Sequence, residues 1–155
     1  MTYKEKVDEF LSRKVIAIAG VSRNPQTETG NAIYKKFRDS GYKVFPINPY
    51  ADMIEGDKCY AKLSSLPEKP EAVFIITNPK AALNIVNQCV ECGIKRIWFH
   101  KAMGSGSYDK EAAEFAEANG ITVIHNGCPM MFIKQADGFH KFLGTVFKIL
   151  GKLKK

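Results

Sequence analysis

Lys14-Val-Ile-Ala-Ile-Ala-Gly20-Val-Ser-Arg-Asn-Pro-Gln-Thr-Glu-Thr-Gly30-Asn31 decides how this chain folds. Val15 to Ala19 is a short apolar run rich in β-branched residues, which reads as a strand. Gly20 breaks it, and a small polar loop with one cation, Arg23, follows. A helical pattern resumes at Gly30. Strand, loop and helix in this order form a place for phosphate, because a helix start carries unpaired N–H groups and a partial positive charge.

Outward from that stretch the same phrase recurs. A helix stops at Gly41, Gly93 or Gly120, and an apolar strand begins at once. The spacing predicts strands over 14–19, 42–48, 72–77, 94–99 and 121–124. Helices are predicted over 3–12, 30–40, 79–92 and 109–119, the last with Ala112, Phe115 and Ala116 inward. Residues 50–70 read as irregular, with a short edge strand at 58–61 and a helical turn near 64–66. Val73-Phe-Ile-Ile76 has no charge, as expected of a strand buried on both faces. Alternating strands and helices indicate right-handed βαβ units. The fold class expected is α/β: a Rossmann-like, doubly wound parallel sheet of about five strands with helices on both faces. In the order 2-1-3-4-5, ligands bind at the carboxyl ends of strands one and three.

The chain has 155 residues, 45% of them hydrophobic and 25% charged, which suits one globular domain over 1–155. No signal core or membrane-length apolar run is visible, so the expected location is cytoplasmic. Cys59, Cys89, Cys92 and Cys128 read as free thiols. Cys89 and Cys92 make a CxxC inside a helical pattern, without the further ligands a metal needs. The net charge of +7 suits an anionic partner, and much of it lies in Lys148, Lys152, Lys154 and Lys155. Residues 137–150 carry Phe139, Phe142, Leu143, Val146, Phe147 and Leu150 at helical spacing. They read as a final helix packed on the body, before a basic tail, rather than as a membrane-surface helix. No nucleic-acid-binding motif is evident, and oligomerisation is left open.

The strand ends collect hydroxyls, amides and cations on one rim: Val21, Ser22, Arg23 and Asn24; Asn48 and Pro49; Thr77, Asn78 and Pro79; His100 and Lys101; Asn126 to Pro129. None is acidic. The dinucleotide fingerprint needs three closely spaced glycines and an acid about twenty positions on. Here the second and third glycines are absent at their spacing, and Asn48-Pro49 stands in place of the acid, so NAD is disfavoured. A Walker A loop is also absent.

Gly20-Val21-Ser22-Arg23-Asn24-Pro25, Gly30-Asn31, Val44-Phe45-Pro46-Ile47-Asn48-Pro49, Thr77-Asn78-Pro79 and Asn126-Gly127-Cys128-Pro129-Met130 together resemble the CoA-binding domain family. These are small Rossmann-like proteins similar to the CoA-binding domain of succinyl-CoA synthetase, and the resemblance covers about residues 10–133. It implies coenzyme A or an acyl-CoA as ligand. Gly20, Val21, Ser22, Arg23, Asn24, Gly30 and Asn31 then hold the phosphates, Asn48 and Pro49 line the nucleotide pocket, and Thr77, Asn78 and Pro79 form the other wall. Phe99-His100-Lys101-Ala102-Met103-Gly104 departs from the family pattern and leaves room for His100 or Lys101 to meet a phosphate or thioester.

Each residue also has a plainer reading. Arg23 is otherwise a solvated loop cation, Asn48 a turn cap, and Cys128 a small packing residue rather than a thiol for mixed disulfides. His100 lacks a visible nucleophile or orienting carboxylate. The function expected is CoA binding without catalysis. The alternatives are a nucleotide-dependent enzyme of acyl-CoA or NAD(P) chemistry and a basic interaction protein acting through its C-terminal helix.

Overall fold

In the computed structural model, the described residues are 1–23, 29–101 and 106–133. Asn24, part of the loop at 103–107, and the helix and tail expected over 137–155 lie outside them. The main sheet is built from β1 (Val15–Ala19), β2 (Lys43–Ile47), β5 (Ala72–Ile75), β6 (Arg96–Phe99) and β7 (Thr122–Ile124), all parallel, in the order β2-β1-β5-β6-β7. This is the 2-1-3-4-5 order expected. The crossover reverses between β1 and β5, so their carboxyl ends diverge into a crevice.

Alternation along β1 sorts the core. Ile16 and Ile18 face α1 (Tyr3–Leu11) and α2 (Thr29–Asp39), whose Val7, Phe10, Ile33, Tyr34 and Phe37 are buried there. Ala17 and Ala19 face the other layer, α3 (Pro79–Glu91) and α4 (Lys110–Ala118). The small residues on this side let α3 come close, while the other layer is filled by rings. Phe10 meets Trp98 edge-on with ring centroids 5.4 Å apart, and Trp98 donates its indole N–H to the Asn126 carbonyl at 3.2 Å. Such an edge-on pair contributes about 0.5–1.5 kcal/mol beyond its buried area.

Local chemistry sets the helix ends. Thr2 and Glu5 form a reciprocal capping box on α1. Asn78 and Asp109 accept from Ala81 N–H and Ala112 N–H at the starts of α3 and α4. Pro79 sits in the first turn of α3, where its missing N–H costs nothing.

Two details differ from expectation. Phe115 is 37% exposed, and Ala113 takes the inward place beside Ala112 and Ala116. Three alanines bring α4 nearer to its neighbours than a ring would allow. Residues 58–61 do not form an edge strand. Instead β3 (Met53–Ile54) and β4 (Asp57–Lys58) make a small antiparallel hairpin, and a lone bridge joins Ile47 to Tyr60. Pro46 lies in β2, the edge strand, where a residue without an N–H is tolerated. Tyr60 covers that edge, donating to the Pro46 carbonyl and accepting from Asn48 N–H.

Candidate functional site

The crevice forms where β1 and β5 end. Gly20 has φ +102°, and a Cβ on it would stand 2.7 Å from the backbone of Ile76 and Thr77. Only glycine lets the two strand ends approach this closely. Gly30 performs a related role at the start of α2, where a Cβ would meet the Ile76 side chain at 3.1 Å and the Gly20 carbonyl at 3.3 Å. The amino ends of α2 and α3 therefore reach the same rim, bringing two partial positive charges to it.

The loop after Gly20 is fixed by amides rather than by charge. Asn31 is 1% exposed; its Oδ1 accepts from Ser22 N–H at 2.9 Å and its Nδ2 donates to the Ser22 carbonyl at 3.0 Å. Asn48 Nδ2 donates to the Val21 carbonyl at 2.8 Å, and Asn48 Oδ1 accepts from Tyr50 N–H at 2.8 Å. Arg23 Nη1 reaches the Tyr50 carbonyl at 3.3 Å. The ends of β1 and β2 are thus tied together on one side of the crevice.

A cavity of about 670 Å³ opens there. Gly20, Val21, Ser22, Asn48, Pro49, Thr77 and Asn78, all named from the sequence, are among the residues that line it. Its far wall was not legible in the sequence: Tyr50, Ala61, Ala81, Asn84, Ile85 and Gln88. The signal in α3 was an i, i+4 amide pair, Gln88 Nε2 donating to Asn84 Oδ1 at 2.7 Å. Gln88 also accepts from Leu63 N–H, which pins the turn over the crevice.

A second, smaller cavity of about 280 Å³ shares Gly20, Ile76, Thr77 and Asn78 and adds Thr29, Gly30, His100, Gly106 and Ser107. The two spaces meet over the strand ends, like the halves of a saddle. His100 packs edge-on against Phe74, with ring centroids 5.9 Å apart. Burial lowers its pKa, so the ring is neutral near pH 7, and its Nε2 has no hydrogen-bond partner among the described residues. Asn31, Arg23, Pro79 and Lys101 do not line either cavity. Asn31 acts behind the loop, and Lys101 is exposed beside Gly127. Cys128 is half-buried against the α1–α2 side of the core, and His125 is exposed against the Tyr108 ring.

A further hollow of about 360 Å³ lies beside the amino ends of β1 and β2, lined by residues such as Leu11, Lys14, Gly41 and Tyr42. It lacks the converging helix starts and lies away from the switch point. Among the described residues no group of His, Cys, Asp and Glu is placed to hold a metal, and no helix is long and apolar enough to cross a membrane.

Fold and crevice define a Rossmann-like α/β protein with a crevice at the switch point between β1 and β5, the place where sheets of this kind take their ligands. Residues 14–134 match the model of the family described as CoA binding domain, and the chain belongs to that CoA-binding domain family. Over 130 residues it is 26% identical to the alpha subunit of an ADP-forming acetate–CoA ligase II from Pyrococcus furiosus, a match covering 79% of this chain and 28% of that subunit. It is also 26% identical to YneT, an uncharacterized protein of Bacillus subtilis, covering 81% of this chain and 90% of YneT. Among solved structures, a hypothetical protein from Pyrococcus horikoshii superposes with a TM-score of 0.75 at 30% identity, over 84% of this chain and 89% of that one. The dinucleotide-forming acetyl-coenzyme A synthetase 1 of Candidatus Korarchaeum cryptofilum gives 0.61 at 30% identity, over 71% of this chain and 25% of that one.

Proposed function

We propose that this chain binds coenzyme A or an acyl-CoA across the β1–β5 switch point and does so without catalysing a reaction on it. The observation that carries the reading is that the Gly20 turn and the start of α3 line both the 670 Å³ cavity and the adjoining 280 Å³ one, with the start of α2 lining the smaller. The larger lies in the size range of small-molecule sites. Gly20 to Arg23, with Gly30 and Asn31 beside them, form the phosphate end, to which the sequence adds Asn24. Asn48 and Pro49 face Thr77 and Asn78 across the nucleotide, with Pro79 set back in the first turn of α3. His100 stands towards the acyl end, with Lys101 outside the cavity wall. Neither cavity has Asp or Glu among its described lining residues, which favours a polyanionic ligand. The two ligase relatives are named for chemistry on CoA, and the chain matches about a quarter of each.

Calorimetric titration with CoA, acetyl-CoA, NAD and ATP tests the proposal. CoA or acetyl-CoA binds, and Arg23→Ala weakens the binding. Clear NAD binding with no CoA binding overturns it. The catalytic reading rests on one observation, the His100 ring in the smaller cavity, whose Nε2 has no hydrogen-bond partner among the described residues. Turnover of an acyl-CoA that is lost in His100→Ala establishes that reading instead.

A further inference from the structure

We propose that Glu55 is a positioning residue for the loop after β1, acting through Asn31. This rests on the reading of that loop as the phosphate end of the ligand site.

Glu55 is the one non-glycine residue with positive φ among those described, at +50°, and Gly56 follows at +81°. Positive φ at both central positions makes the β3–β4 connection a hairpin turn that favours Asn-Gly. A glutamate there strains its backbone, so its side chain has a use that asparagine would not serve. That side chain is 13% exposed and points at α2. Its Oε1 accepts from Asn31 Nδ2 at 3.1 Å, and its Oε2 lies 4.0 Å from Lys35 Nζ.

Asn31 has one acceptor and a two-proton donor on its amide. In the observed orientation Oδ1 meets Ser22 N–H, while Nδ2 serves both the Ser22 carbonyl and Glu55. Turned over, the amide would set oxygen against both the Ser22 carbonyl and the carboxylate, and NH₂ against Ser22 N–H. Ser22 selects the observed orientation, and the Glu55 carboxyl, taking the second amide proton, anchors it there. Ser22 is thereby held at both its N–H and its C=O. Glu55 itself is held independently: Arg38 Nη1 donates to its carbonyl at 2.7 Å and pairs with Asp57 at 2.9 Å. A negative group placed behind a phosphate loop opposes anion binding by its charge alone, so anchoring of the amide is the benefit that offsets it.

Glu55→Asn and Glu55→Gln separate these effects. Asparagine suits the positive φ but is too short to reach Asn31; glutamine keeps an acceptor oxygen at the same reach. The readouts are Tm, CoA titration and hydrogen exchange at the Ser22 amide in the unliganded protein. Glu55→Asn keeps or raises Tm, speeds Ser22 exchange and weakens CoA about tenfold, the scale of one ligand hydrogen bond lost when Ser22 is no longer held in place. Glu55→Gln stays within about threefold of the parent on the same basis. Unchanged CoA affinity in Glu55→Asn overturns the proposal, as does tighter binding in both variants, which marks the charge as merely repulsive. An equal fall in Tm and affinity in both variants makes Glu55 structural and also overturns it. If the parent protein binds no CoA, the phosphate reading fails. Ser22 exchange then decides the Glu55–Asn31 link alone, with protection kept in Glu55→Gln and lost in Glu55→Asn if the link holds.

Discussion

Asn48 donates its amide N–H to the carbonyl of Val21 at 2.8 Å, joining the residue after β2 to the residue that opens the β1 loop. The same side chain also turns the chain at Tyr50, its Oδ1 accepting from Tyr50 N–H. Asn48→Ala should lower stability by about 1–2 kcal/mol through the unpaired Val21 carbonyl, measured by urea denaturation. Asn48→Asp should lower it further near neutral pH, because an acceptor then faces an acceptor. CoA affinity should fall in the same order.

Gly20→Ala meets both positive φ and a backbone clash at 2.7 Å. A loss of about 3 kcal/mol or more is expected in chemical denaturation. Gly41→Ala is the control: φ is +93°, yet nothing lies within 4 Å of its Cβ. Its cost should be the conformational part alone, about 1 kcal/mol.

Tyr50 is 76% exposed at the cavity mouth, while its N–H and C=O are held by Asn48 and Arg23. An exposed ring on a pinned backbone suits stacking against a base. Tyr50→Ala should weaken CoA by roughly tenfold, the scale of one base–ring stack. Binding of phosphopantetheine, which lacks the base, should be unchanged, and Tyr50→Phe should match the parent. Calorimetry with both ligands checks this.

The β3–β4 hairpin is locked to α2 by a contact that titrates at both ends of the pH scale. Tyr34 donates to Asp57 at 2.6 Å, which foremost holds the Asp57 carboxyl below its usual range, with Arg38 adding to the effect and burial opposing it. A depressed carboxyl stabilises the fold above its unfolded pKa of about 4, and the contribution disappears as pH falls through the folded value. The Tyr34 phenol is pushed up, by burial first and then by Asp57. Its contribution is complete below about pH 10 and is lost as pH rises beyond that. Thermal melts from pH 2 to 11 should show Asp57→Asn with a flatter acid limb. Tyr34→Phe should flatten both limbs, since it removes the phenol and the donor that depresses Asp57.

The sequence by itself determined the alternation of elements, because apolar runs and glycine stops act locally. Val15–Ala19 has to be a strand, Gly41 and Gly93 have to end helices, and that alternation admits few topologies besides a doubly wound sheet. It also placed Gly20, Asn48 and Thr77 on one rim, since strand ends in such a sheet share a side. The tertiary structure alone decided which groups meet. Phe115 faces outward because Ala113 permits a closer α4. Asn31 lies behind the loop because Ser22 and Glu55 use its whole amide. Asn84 and Gln88 form a cavity wall because α3 runs beside the crevice. Glu55 reaches Asn31 because Tyr34 and Arg38 clamp to α2 a hairpin that lacks an Asn-Gly turn. These contacts join residues distant along the chain, and their geometry depends on how α2, α3 and the hairpin settle against the sheet.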